Sequence, residues 1–71
     1  MRTGSKVDFL ELENEQHYHG EIKNGIPHGF GILADSAGSI YEGGFIEGEK
    51  SGRGRLTYSN GDQYVGEFVR N

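Results

Sequence analysis

The chain repeats itself every 23 residues, and that period limits what it can fold into more than any other feature. Tyr18, Tyr41 and Tyr64 are followed two positions on by Gly20, Gly43 and Gly66, and two further on by Ile22, Phe45 and Phe68. The first two copies stay in step through Gly25 and Gly48, Gly29 and Gly52, Gly31 and Gly54, Leu33 and Leu56, and Gly38 and Gly61, with no insertion or deletion. Scattered at random, 13 glycines in 71 residues would describe a flexible linker. On a fixed period they mark a backbone geometry that recurs, which is the signature of a repeat array. An array of this kind offers a surface more readily than a catalytic pocket.

A chain of 71 residues builds one small domain at most, and 32% hydrophobic residues with no cysteine leave it neither a large core nor a disulfide. Apolar burial at roughly 25 cal/mol per Å² then does little more than offset about 1.5 kcal/mol of entropy per ordered residue. The expectation is a piece of a longer array, or a chain that completes its core by pairing. The net charge of −4 is spread over 11 acidic and 7 basic residues with no basic stripe, which argues against nucleic acid. No apolar run opens the chain, so neither a signal peptide nor a membrane span is expected and a cytoplasmic setting is the default. Residues 1–6 read as a disordered lead-in.

Period-two alternation predicts strands over 18–23 and 41–46, with Tyr, Gly and Ile or Phe on one face and Glu21, Glu42, Lys23 and other polar groups mostly on the other. Residues 30–34 and 53–58 also read as strands, as does the terminal stretch 63–70. Asn24-Gly25, with Pro27 and His28 in the same link, and Glu47-Gly48 mark the turns within units, and Ser59-Asn60-Gly61-Asp62 a turn between them. The chain is therefore all-β. Glycines facing aromatics leave room for a ring to lie across the neighbouring strand. Tyr18, Tyr41 and Tyr64 opposite the Gly-x-Gly segments would form a ladder of rings, read either as core or as an aromatic groove for a ligand.

The stretch Tyr18-His19-Gly20-Glu21-Ile22-Lys23-Asn24-Gly25, followed by His28-Gly29-Phe30-Gly31, resembles the MORN repeat (membrane occupation and recognition nexus). That unit runs Tyr-Glu-Gly-Glu-Trp-x-x-Gly and then Gly-x-Gly. Tyr41-Glu42-Gly43-Gly44-Phe45-Ile46-Glu47-Gly48 with Gly52-Arg53-Gly54 matches a second time, and Tyr64-Val65-Gly66-Glu67-Phe68 opens a third copy. On this reading residues 18–40 and 41–63 are repeats and 64–71 a partial repeat. Residues 7–17 are a degenerate half repeat or N-terminal cap, with Asp8 and Glu15 standing at glycine positions. The resemblance implies a single elongated antiparallel sheet of successive β-hairpins. It also implies scaffolding, protein binding, dimerisation through array ends and, in some members, contact with membranes or phosphoinositides. MORN repeats occur beside lipid kinases and a SET-domain lysine methyltransferase, and in ciliary and cytoskeletal proteins, so an accessory module of a longer enzyme is one alternative.

Other chemistries have little support. His17 and His19 would share a strand face but lack a third metal ligand. Gly29-Phe30-Gly31 lacks the third glycine of a dinucleotide fingerprint and the Lys-Ser/Thr of a phosphate loop. Glu21, Glu42 and Glu67 read as a solvated face interrupted by Gly44, and Ser36, Ser39, Ser51 and Ser59 sit in turn-like contexts without a base. No catalytic residue, cofactor or metal is read from the chain. The candidate contact row for a protein partner or a second copy is Tyr18, Ile22, Tyr41, Phe45, Tyr64 and Phe68, together with the open edge of the last strand. The alternative contact with anionic membrane lipid would use Lys50, Arg53, Arg55 and Arg70, at about 1 kcal/mol each.

Overall fold

The computed structural model describes residues 6–12 and 15–69, with side chains from residue 9 onward. Six strands follow one another: β1 (Lys6–Leu12), β2 (Gln16–Lys23), β3 (Ile26–Ala34), β4 (Ile40–Ile46), β5 (Glu49–Thr57) and β6 (Gln63–Phe68). They form one antiparallel sheet whose spatial order is the chain order. The predicted all-β architecture of successive hairpins is the one observed.

The turns explain where the strands begin. Asn24 and Gly25 have φ of 54° and 81°, and Glu47 and Gly48 have 51° and 88°. Two left-handed residues between the pairs Lys23↔Ile26 and Ile46↔Glu49 make a two-residue turn whose twist matches the flanking strands. Asn tolerates that conformation, whereas Glu carries a Cβ–carbonyl clash into it. Because the turn is so short, β3 starts at Ile26. Pro27 and His28 therefore lie in a strand, not in the link expected from the sequence. The carbonyl of Pro27 accepts the Gly48 amide at 2.8 Å, so the turn of the second repeat is tied to the first. Between repeats, Asp35 Oδ1 accepts the amides of Ala37 and Ser39, each at 3.0 Å, and holds the chain through the Gly38 turn.

The register within a repeat differs from that between repeats. Pairing of β2 with β3 is irregular between Gly20 and Ile22, and pairing of β4 with β5 between Gly43 and Phe45. The contacts of β1 with β2, β3 with β4 and β5 with β6 run without interruption. One bulge per repeat bends the sheet at regular intervals. The core lies on one face: Tyr18, Ile22, Leu33, Tyr41 and Phe45 are buried, with Leu10, Leu12, Leu56 and Phe68 packed around them.

Candidate functional site

The ring face is built from glycine upward. Gly20 pairs with Gly31 and Gly43 with Gly54, so the two strands of each hairpin meet as bare backbone. The Tyr18 ring lies on Gly31 and the Tyr41 ring on Gly54, where an added Cβ would overlap the ring. Each hydroxyl then donates to the carbonyl three residues on: Tyr18 to Glu21 at 2.5 Å, Tyr41 to Gly44 at 2.9 Å and Tyr64 to Glu67 at 3.1 Å. In the two bulged hairpins those carbonyls belong to the residue that faces the bulge across the hairpin, so the hydroxyl braces that point. This need explains why all three copies carry Tyr, not Phe, at the first position. Burial, and secondarily the charge of Glu21, pushes the Tyr18 hydroxyl up to about 12, and burial raises that of Tyr41.

Phe residues fill the spaces between tyrosines. Phe45 meets Tyr18 edge-on at 5.1 Å and Tyr41 at 5.2 Å, and Phe68 meets Tyr41 at 4.8 Å and Tyr64 at 5.3 Å. Such edge-to-face pairs add about 0.5–1.5 kcal/mol to their burial. Of the six candidate contact residues, Tyr18, Ile22, Tyr41 and Phe45 are interior, exposed by 0%, 6%, 1% and 3%. A molecule approaching this row reaches Tyr64, which is 45% exposed, and the half-buried Phe68 beside it.

The four candidate lipid-contacting cations do not form one patch. Lys50 lies on the ring face with its ammonium 5.6 Å from the Tyr41 ring centre. Arg53 and Arg55 share the opposite face, where each has a carboxylate: Glu67 at 3.8 Å and Glu42 at 3.5 Å. Arg70 lies outside the described residues. Glu21 is more than the solvated acid expected from the sequence. Its Oε1 accepts the Phe30 amide at 2.7 Å, closing the gap that the bulge opens. In the second repeat Gly44 stands in its place, and the backbone there passes so close to the Ser51 carbonyl that a Cβ has no room.

The face opposite the rings mixes apolar side chains with the polar ones that alternation suggested. It carries Phe9, Phe30, Ile32, Ile40 and Val65, all exposed, with Phe30 at 60%. Sequence reasoning passed over them although the signal was present, since Phe30 and Ile32 alternate with Gly29, Gly31 and Leu33 and must point the other way. His17 and His19 do share this face, where the Phe9 ring stacks on one at 5.9 Å and meets the other edge-on at 6.4 Å. Among the described residues no group of three or more His, Asp or Glu is placed to hold a metal ion. Among the described residues there is no helix long and apolar enough to cross a membrane.

Known proteins bear on this geometry in two ways. The chain is 32% identical over 69 residues to alsin of Rattus norvegicus and, equally, to alsin of Mus musculus. Each match covers 90% of this chain and 4% of alsin, so the likeness concerns a small module of a much longer protein. The family model for the MORN repeat matches residues 18–40 and 41–63, the two units whose tyrosine, bulge and paired glycines are described above. A MORN repeat is a non-catalytic repeat module, and with two of them in tandem this chain belongs to the MORN-repeat family.

Proposed function

We propose that the chain is a non-catalytic protein-binding module, working within a larger cytoplasmic assembly, that takes a partner's strand along the outer edge of β6. The observation that supports this reading is the contrast among the three tyrosines. Tyr18 and Tyr41 cover glycines on the following strand and are 0% and 1% exposed, whereas Tyr64 is 45% exposed and no described strand lies beyond it. An edge strand offers unpaired N–H and C=O groups, and strand addition uses them for affinity while side-chain pockets set specificity. Here the side chains that such a strand would meet are Tyr64, 45% exposed, and the half-buried Phe68. Because Tyr18 pairs with Leu33 and Tyr41 with Leu56, while Gly20 pairs with Gly31 and Gly43 with Gly54, the partner strand would carry Gly-x-Leu. Its glycine would face Gly66 and its leucine Tyr64. The membrane reading draws less support, because its cations are divided between two faces and two of them are paired with acids.

The test is a titration of the isotope-labelled chain with a synthetic peptide that copies residues 28–34. Amide shifts confined to residues 63–69, and abolished by Phe68→Asp, are the expected result. Absence of shifts at millimolar peptide, or shifts scattered over both faces, would remove the proposal.

A further inference from the structure

We infer that the face opposite the rings is where a second copy of this chain docks, about a two-fold axis running along the strands between β3 and β4. Large apolar side chains gathered on one exposed face mark a candidate interaction surface. Phe9, Ile26, Phe30, Ile32, Ile40, Ile46 and Val65 account for most of the exposed large hydrophobic side chains among the described residues. Phe9, Ile32 and Val65 lie on one cross-strand row, Phe30 and Ile40 on the rows to either side of it, and Ile26 and Ile46 beside the two-residue turns. The sheet measures 40 × 25 Å in its two long dimensions, so its face is large enough for the roughly 800 Å² per partner that a stable interface needs.

The register supplies the argument for a second copy as the occupant. Rotation about the stated axis lays β3 of one copy over β4 of the other, β2 over β5 and β1 over β6, without changing the height of any row. Phe30 pairs with Gly44 in the sheet, so the ring of Phe30 would settle over Gly44 of the second copy, where no side chain competes for the space. The same holds in reverse, as an isologous contact requires. Ala34 pairs with Ile40, and each would cover the other's counterpart. One row runs Phe9, His19, Ile32, Glu42, Arg55, Val65, so the two-fold brings Phe9 over Val65 at both ends. Glu42, which meets Ile32 in this arrangement, keeps its charge matched by Arg55 at 3.5 Å. Sheets packed in this way sit about 10 Å apart.

The β6 reading uses a strand edge and this one a sheet face, and Phe30→Arg, on β3, bears on the face alone. Sedimentation equilibrium over a concentration series should show a monomer–dimer equilibrium. Phe30→Arg should weaken it at least tenfold. Arginine is chosen because Arg53 already occupies the equivalent place in the second repeat, and Ile32→Arg, mirrored by Arg55, provides a second variant. A chain that stays monomeric at every concentration would overturn the inference. So would a dimer that survives Phe30→Arg and Ile32→Arg.

Discussion

The two complete repeats are nearly superimposable on one face and unlike on the other. On the ring face Tyr18, Gly20, Gly31 and Leu33 of the first match Tyr41, Gly43, Gly54 and Leu56 of the second, in the same register. On the opposite face the first repeat has Phe30 and Ile32 where the second has Arg53 and Arg55. Glu21, which bridges the first bulge, gives way to Gly44, and Asn24 in the first turn gives way to Glu47. The ring face leaves no freedom, because a ring lying on bare backbone excludes every residue but glycine beneath it. The other face must only suit the sheet's pleat, so its side chains are free to differ between the repeats.

If the ring faces are truly one structure, breaking them should affect both repeats together. Phe45 touches Tyr18 of the first repeat and Tyr41 of its own. Phe45→Ala should therefore cost about 3–5 kcal/mol, and urea unfolding followed in each repeat should show both melting at the same lowered midpoint. Two separate transitions would mean that the repeats hold themselves up independently.

The next effect in size is alkaline. The folded Tyr18 hydroxyl titrates at about 12 against an ordinary 10.0. Below pH 10 it keeps its proton in both states and its stabilisation is complete. Between pH 10 and 12 the unfolded chain releases that proton and the folded one does not. Stability should thus fall by on the order of 1.4 kcal/mol per pH unit for this group. Tyr41 is shifted in the same direction. Tyr18→Phe and Tyr41→Phe should each make the fall shallower, as measured by denaturation at a series of pH values. A change in only one of the two variants would show that the repeats' rings are not equivalent.

The smallest effect lies in the turns. Glu47→Asn gives the second turn the residue of the first and should stabilise by about 1 kcal/mol by relieving left-handed strain. In a chain of this size that is a rise of about 4–8 °C in melting temperature. No rise would mean that contacts of Glu47 already offset its conformation.

Much of this architecture was legible in the sequence. A 23-residue period, Asn24-Gly25 and strict alternation are local signals, and local signals decide strand, turn and face. The hydroxyl bonds of the tyrosines were not legible, because they depend on how each ring lies back over the carbonyl three residues on. Glu21 escaped because its amide partner Phe30 lies across the hairpin. His28 looked like a loop residue until the turn proved to close in two residues, which put its Nδ1 3.2 Å from the Glu47 amide. The apolar character of the second face was visible residue by residue. It was obscured by the expectation that a half-buried sheet is polar on its far side.

The meander order of the six strands has a kinetic consequence. Every strand pairs only with the strands next to it along the chain, so no distant segments have to meet. Loop closure is then cheap at every step, and folding can begin at either two-residue turn and spread outward strand by strand. Unfolding runs the same way in reverse. Amide exchange should be fastest at β1 and β6 and slowest where β3 meets β4, which makes the middle of the sheet the last part of the molecule to come apart.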